Sequence, residues 1–225
     1  MVDIPNGQRE IYQSSFEKGG DSPKGFKWRD RLTQELRFEK LLEKIDTKKN
    51  PSICDFGCGT GDLHQFLTRK KVEHEYTGIE IVEDMVDIAR VKHPDAEFLL
   101  DKRLRDIPDS EYDIIVCSGV FFVRGRNDRD LWIQYLEETV SEMYRICKIG
   151  TSFNFLGDWT DWEEEDLAYI SISEIDSICK KLTRFRHIDC TYPLFEGTVT
   201  LLKNRQVIEE YPEDEFRRYL GDHNG

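Results

Sequence analysis

The 225-residue chain contains no run of about 18 apolar residues, the length that a membrane-spanning helix needs. Its opening, Met1-Val2-Asp3-Ile4-Pro5, lacks the basic and apolar regions of a secretory signal. The expectation is a soluble, cytoplasmic protein with no membrane partner. Positive charge is scarce as well: 32 Lys and Arg stand against 45 Asp and Glu, a formal net charge of −13. A protein that grips RNA or DNA draws most of its affinity from neutralised phosphates, so this balance argues against a nucleic-acid partner. The basic stretches Lys102-Arg103-Leu104-Arg105 and Lys180-Lys181-Leu182-Thr183-Arg184-Phe185-Arg186 read as solvated faces or helix ends, although such a patch could hold one phosphate of a small molecule. The six cysteines, at 54, 58, 117, 147, 179 and 190, include no C-x-x-C pair, so neither zinc-ligand spacing nor a disulfide framework is present. They read as reduced core thiols, and no metal is expected. Internal repeats, low-complexity segments and shifts of composition are missing too, which implies one domain.

What the chain does contain is alternation. Trp28 to Ile45 places Leu32, Leu36, Leu41, Leu42 and Ile45 at helical spacing. Ser52 to Phe56 reads as a buried strand, Leu63 to Lys70 as a helix, Glu75 to Ile81 as a strand, and Asp84 as the cap of a helix carrying Met85, Ile88 and Ala89. Ala96 to Leu100 and Tyr112 to Cys117 follow as strands, the latter apolar enough to be buried on both faces. From Asp130 to Cys147 the apolar residues Trp132, Tyr135, Leu136, Val140, Met143 and Tyr144 form one helical stripe. Gly150 to Leu156 gives a fifth strand, and Ser171-Ile172-Ser173-Glu174 has the form of a capping box. Arg184 to Tyr192 and Gly197 to Leu202 then make a terminal hairpin. Strands alternating with helices predict an open, doubly wound, mostly parallel α/β sheet, whose ligand crevice lies beyond the carboxyl ends of the strands.

The residues at those ends are informative. The run Ile53-Cys54-Asp55-Phe56-Gly57-Cys58-Gly59-Thr60-Gly61-Asp62 carries glycine at every second position of a strand-to-helix turn, which suits close approach of backbone to a ligand. A dinucleotide site would show G-x-G-x-x-G here, and Asp55 and Asp62 would repel a pyrophosphate; they suit a ligand carrying an ammonium and a sulfonium. Glu80 ends the second strand about 20 residues beyond the turn, where its two oxygens can accept from ribose hydroxyls. Asp101 ends the third strand and could accept from an exocyclic amine, or be a solvated carboxylate beside Lys102 and Arg103. Cys117-Ser118-Gly119 ends the fourth with small side chains.

The sequence Asp55-x-Gly57-x-Gly59-x-Gly61 resembles motif I of the class I S-adenosylmethionine-dependent methyltransferases, and the likeness covers Ser52 to Lys203 in order and type of element. It implies a Rossmann-like, seven-stranded sheet with an antiparallel last strand, and S-adenosylmethionine as cofactor. It divides the chain into an N-terminal lid and helix (1–50), a cofactor-binding core (51–203) and a C-terminal tail (204–225). By position, Asp55, Gly57, Cys58, Gly59 and Gly61 would hold the methionine portion, Glu80 and Ile81 the ribose, Asp101 the adenine, and Cys117 and Ser118 the amino-acid end. The chain also resembles the small stand-alone members of bacterial biosynthetic pathways, which implies that Tyr12-Gln13-Ser14-Ser15-Phe16 and the Trp28 helix would fold over the cofactor as a lid.

The acceptor side is looser. Tyr12, Trp28, Arg37, Phe121, Asn154 and Trp159 are candidate substrate residues, Arg37 for a carboxylate and Trp159 with Trp162 for a flat acceptor. Asp158, Glu196 and His187 are further polar candidates, and no catalytic base is assigned. Ser118-Gly119-Val120-Phe121 stands where nucleic-acid and glutamine amino-methylating members carry N-P-P-Y. The expected activity is methylation of O or N on a small metabolite or biosynthetic intermediate. The alternatives are a non-catalytic, regulatory S-adenosylmethionine-binding protein and a nicotinamide oxidoreductase, which the glycine spacing disfavours. The oligomeric state and the pathway are left open.

Overall fold

The computed structural model of the chain describes residues 4–22, 30–47 and 50–219. A sheet with a core on each face accounts for its layout. Along β1 (Ser52–Phe56) Ile53 enters one core and Cys54 the other, and both are fully buried. The same split runs along β4 (Tyr112–Cys117), where Ile114 and Val116 join Ile53 while Ile115 and Cys117 join Cys54. That two-sided burial is why neither strand shows the polar alternation of a surface sheet. The first core is closed by Phe38 and Leu41 of α2 (Arg31–Leu42), Leu63 and Phe66 of α3 (Asp62–Arg69), and Val86 and Ala89 of α4 (Glu83–Lys92). The second is closed by Trp132, Leu136, Val140 and Met143 of α5 (Arg129–Ile146) and by Ile175 and Cys179 of α6 (Ile172–Cys179). Each of the Leu, Ile, Val, Phe and Met side chains among them contributes roughly 1.5–3 kcal/mol by leaving water.

With β2 (Glu75–Glu80), β3 (Glu97–Leu100), β5 (Cys147–Gly157), β7 (Arg186–Asp189) and β8 (Glu196–Leu202), the sheet runs in the order β3-β2-β1-β4-β5-β8-β7. The first five strands are parallel, and β8 is antiparallel to both neighbours, as expected of the terminal hairpin. An eighth strand, the two-residue β6 (Tyr169–Ile170), pairs with the end of β5; two residues carry no readable period.

Two expectations at helix starts need correction. Asp84 does not cap α4: Val82 is the N-cap, and Asp84 sits in the first turn, where its charge still favours the positive end of the helix dipole. The opening helix begins at Arg31, capped by Asp30, whose side chain accepts from Thr33 N at 2.8 Å; Trp28 lies outside the described residues. The polar opening itself contains α1 (Ile4–Gly19), anchored by Phe16 against Val82 and Met85 of the α4 entry, with Tyr12 beside them. The segment 204–219 carries two short helices, α7 (Asn204–Glu210) and α8 (Asp214–Arg217). Among the described residues no helix is long and apolar enough to cross a membrane.

The capping box at α6 is formed on both sides: Glu174 N donates to Ser171 Oγ at 3.2 Å, and Ser171 N donates to Glu174 Oε2 at 3.0 Å. Ser171→Ala should cost about 1 kcal/mol and lower the melting temperature by about 2–4 °C, measured by scanning calorimetry.

Candidate functional site

Strand order reverses between β1 and β4, and a cavity of about 360 Å³ opens there at the carboxyl ends of β1 to β4. Asp55, the penultimate residue of β1, is buried at its floor. Its Oδ2 accepts from the Tyr76 hydroxyl at 2.6 Å, whereas its Oδ1, equally buried, has no hydrogen-bond partner among the described residues. Burial pushes the Asp55 carboxyl up to about 7, with the charges of Glu80 and Asp62 adding to the shift and the Tyr76 bond opposing it.

Glu80 closes the next wall. Its Oε2 accepts from Gly59 N at 2.9 Å, and its Oε1 accepts from Ile81 N at 2.7 Å and Val82 N at 3.0 Å. The carboxylate therefore ties the glycine turn to the start of α4. Burial raises its pKa against those amide bonds. Asp101, after β3, holds a left-handed backbone with φ of 51° and donates its N–H to the Glu80 carbonyl at 2.8 Å. Its side chain, half exposed, pairs with Arg9 of α1 at 2.7 Å rather than with Lys102 or Arg103.

Helix α1 roofs the cavity. Gln8 Nε2 donates to the carbonyls of Val120 and Val123 at 2.8 and 2.9 Å, and the Tyr12 hydroxyl donates to the Gly119 carbonyl at 3.3 Å. Burial, and then the charge of Glu80, raise the Tyr12 phenol, so it is a donor at neutral pH. Gln8, Arg9, Gln34, Phe38, Tyr135 and Thr139 also line the cavity and had no sequence signal, because α1, α2 and α5 reach the site only through the fold.

Of the residues expected at the site, Asp55, Gly57, Cys58, Gly59, Glu80, Ile81, Asp101, Ser118 and Tyr12 lie on its wall. The others do not. Gly61 starts α3 with φ of 84°, and a Cβ there would stand 2.6 Å from His93 Cδ2, so this glycine answers to packing behind the turn. Gly57 is on the wall, but a Cβ on it would first strike Val120 at 2.2 Å. Cys117 is sealed in the sheet, and Phe121 turns inward against Phe153 with ring centroids 5.4 Å apart, leaving Val120 to face the cavity. Asn154 is buried in β5, where its Oδ1 accepts from Ser118 Oγ at 3.3 Å and its Nδ2 donates to Thr198 Oγ1 at 2.9 Å. Arg37 donates from Nε and Nη2 to Glu196 Oε2 at 2.9 and 2.8 Å, a buried ion pair away from the cavity wall. Trp159 covers Gly157 and packs edge-on against Phe155 at 6.0 Å. Among the described residues no His, Cys, Asp and Glu cluster is arranged to hold a metal.

Comparison with known proteins follows this geometry. The methyltransferase-domain family matches residues 53–150. A protein of Mycobacterium tuberculosis named as a methyltransferase is 30% identical over 158 residues, which is 68% of this chain and 93% of the relative. The demethylmenaquinone methyltransferase of Chlorobaculum tepidum is 30% identical over 121 residues, 54% of this chain and 46% of that protein, so the chain spans less than half its length. Among solved structures, a SAM-dependent methyltransferase from Aquifex aeolicus shares the fold with a TM-score of 0.54 at 18% identity, covering 84% of this chain and 96% of that one.

Gly61→Ala should destabilise the protein by about 2 kcal/mol or more, because alanine is strained at positive φ and its methyl must displace the His93 ring. Urea unfolding checks this; a change below about 0.5 kcal/mol would show that the turn relaxes freely.

Proposed function

The chain belongs to the class I S-adenosylmethionine-dependent methyltransferases, and on that premise we propose that it methylates an oxygen or a nitrogen of a small metabolite or biosynthetic intermediate. One observation carries the site assignment. Asp55 Oδ1 is a buried acceptor without a donor among the described residues, at the floor of a cavity walled by the glycine turn and Glu80. The α-ammonium of S-adenosylmethionine supplies the missing donor, and the residues present fit that group.

Asp55 with Gly57, Cys58 and Gly59 would hold the methionine portion, and Asp101 the adenine amine. Glu80 is more committed than its position alone implied. A carboxylate has about four acceptor positions, and three amides already use Glu80, which leaves room for one ribose hydroxyl rather than two. Ser118 donates its proton to Asn154, so its lone pairs turn toward the cavity and can accept from a ligand.

When bound, the cofactor supplies a methyl group already activated by its sulfonium. The protein's part is then alignment, which can account for about 7–11 kcal/mol of a barrier. A small acceptor is supported by the scarcity of positive charge and by the demethylmenaquinone methyltransferase relative, whose name gives a quinone precursor as its acceptor. Formation of S-adenosylhomocysteine with a panel of small hydroxyl and amine acceptors tests the reading. Tight cofactor binding with no turnover on any acceptor would favour the regulatory alternative.

S-adenosylmethionine and S-adenosylhomocysteine should raise the melting temperature, and NAD should leave it unchanged. Glu80→Ala should weaken the cofactor by about tenfold or more. It should also lower stability, because three amides lose their acceptor. Calorimetric titration together with thermal melts separates the two effects, and an unchanged dissociation constant would remove Glu80 from the ribose site.

A further inference from the structure

We propose that Tyr76 is a positioning residue for the cofactor's amino-acid end: its hydroxyl captures one oxygen of Asp55 and so presents the other to the cavity as the acceptor for an ammonium. The inference rests on the cofactor reading above and deepens it. Nothing in the sequence pattern singles out Tyr76, which looks there like one more aromatic strand residue.

The geometry is restrictive. Tyr76 and Asp55 are both buried, and the bond between them is 2.6 Å long. In the parallel register Asp55 lies opposite Gly78, two residues beyond Tyr76 on β2, so all three positions share a face of the sheet. Gly78 offers no side chain, and its place is filled by the Phe98 ring and the Cys58 thiol. The Tyr76 ring is clamped in turn: its centroid lies 4.9 Å from that of His64, 5.9 Å from Phe98 and 6.2 Å from His74. A clamped ring fixes the hydroxyl, and the hydroxyl fixes the carboxylate. Without it, Asp55 could rotate and offer either oxygen, or neither.

The charges around Asp55 make this bond consequential. Glu80 from β2 and Asp62 from α3 oppose its ionisation, and the neighbouring thiols of Cys54, Cys58 and Cys117 are held neutral by burial. Behind the Tyr76 ring, burial also lowers the pKa of His64, which therefore offers little positive charge at neutral pH. Among the described neighbours of the Asp55 carboxyl, Tyr76 is the one that favours its charged form. Ammonium binding needs that charged form, so affinity should rise with pH through the Asp55 titration near 7.

The test compares S-adenosylhomocysteine affinity from pH 5.5 to 9 in wild type, Tyr76→Phe, Asp55→Asn and the double variant, with thermal melts as a check of folding. Phenylalanine keeps the ring contacts and removes only the hydroxyl. The ligand's own titration cancels between proteins. Tyr76→Phe should move the midpoint of the affinity curve up by about one pH unit, so that binding is weakened by about fivefold or more at pH 7 and less at pH 9, where only the loss from an unheld carboxylate remains. Asp55→Asn should flatten the step, and Tyr76→Phe should change nothing further in that background. A uniform loss of affinity at every pH would assign Tyr76 a merely structural role and overturn the inference. So would superimposable wild-type and Tyr76→Phe curves, with the cofactor reading left standing. A wild type that binds no cofactor at any pH would overturn both. The Asp55→Asn arm is independent of how well the tyrosine variant folds: a step that persists in it places the titration elsewhere and sinks the proposal.

Discussion

The carboxylate of Glu80 is the constraint on which the site depends. A buried charge is costly unless hydrogen bonds satisfy it, and here three backbone amides do so from two directions. One amide belongs to Gly59 in the turn after β1, and two belong to the entry of α4. The same residue's carbonyl takes the Asp101 amide beyond β3. Three loops that leave three adjacent strands are thus gathered at one residue, and the cavity between them has its width set by that gathering. The glycines then have an intelligible role: the turn must bring an N–H to a carboxylate at the tip of the neighbouring strand.

Electrostatics follow from the same arrangement. Asp62 is partly offset by Lys92 at 3.5 Å and by the Gln34 amide at 3.0 Å, and Asp101 by Arg9 on the rim. Asp55 and Glu80 have backbone and phenol donors but no ion pair among the described residues. Burial raises the pKa of both. A cavity of this kind favours a ligand that brings its own positive charge and disfavours a pyrophosphate, which is the distinction that the glycine spacing suggested. Chain-wide scarcity of basic residues and the local charge balance point the same way.

Much of this was legible in the sequence. The parallel strands and the two-sided cores follow from apolar runs such as Tyr112 to Cys117, the helix α5 from its period, and the α6 start from Ser171 and Glu174. Strand ends could be read because consecutive βα units deliver them to one edge. What stayed hidden came from distance or from competition between two uses of one residue type. Gln8 bonds Val123 across 115 positions, and no local pattern records that. Gly61 looks like Gly59 in the motif but serves His93 packing. Phe121 and Val120 are both apolar, and only the short helical turn at Val120–Phe122 decides which faces inward. Arg37 reads as a ligand for a carboxylate and Glu196 as a polar candidate for a base, but the two pair with each other in a buried place away from the cavity wall.

That last pairing bears on how the chemistry is divided. Breaking a buried ion pair by removing one partner typically costs 3–5 kcal/mol, so Arg37 and Glu196 fasten α2 to β8 and are not available as an acceptor base. Beside them runs a second buried chain, from Ser118 through Asn154 and Thr198 to Tyr192. It stiffens the β5–β8 pair and fixes the direction in which the Ser118 hydroxyl can accept. Tyr12, on the roof helix α1, is held as a donor to the Gly119 carbonyl. These polar residues are thus engaged in holding shape. In the proposed reaction such a site works by alignment.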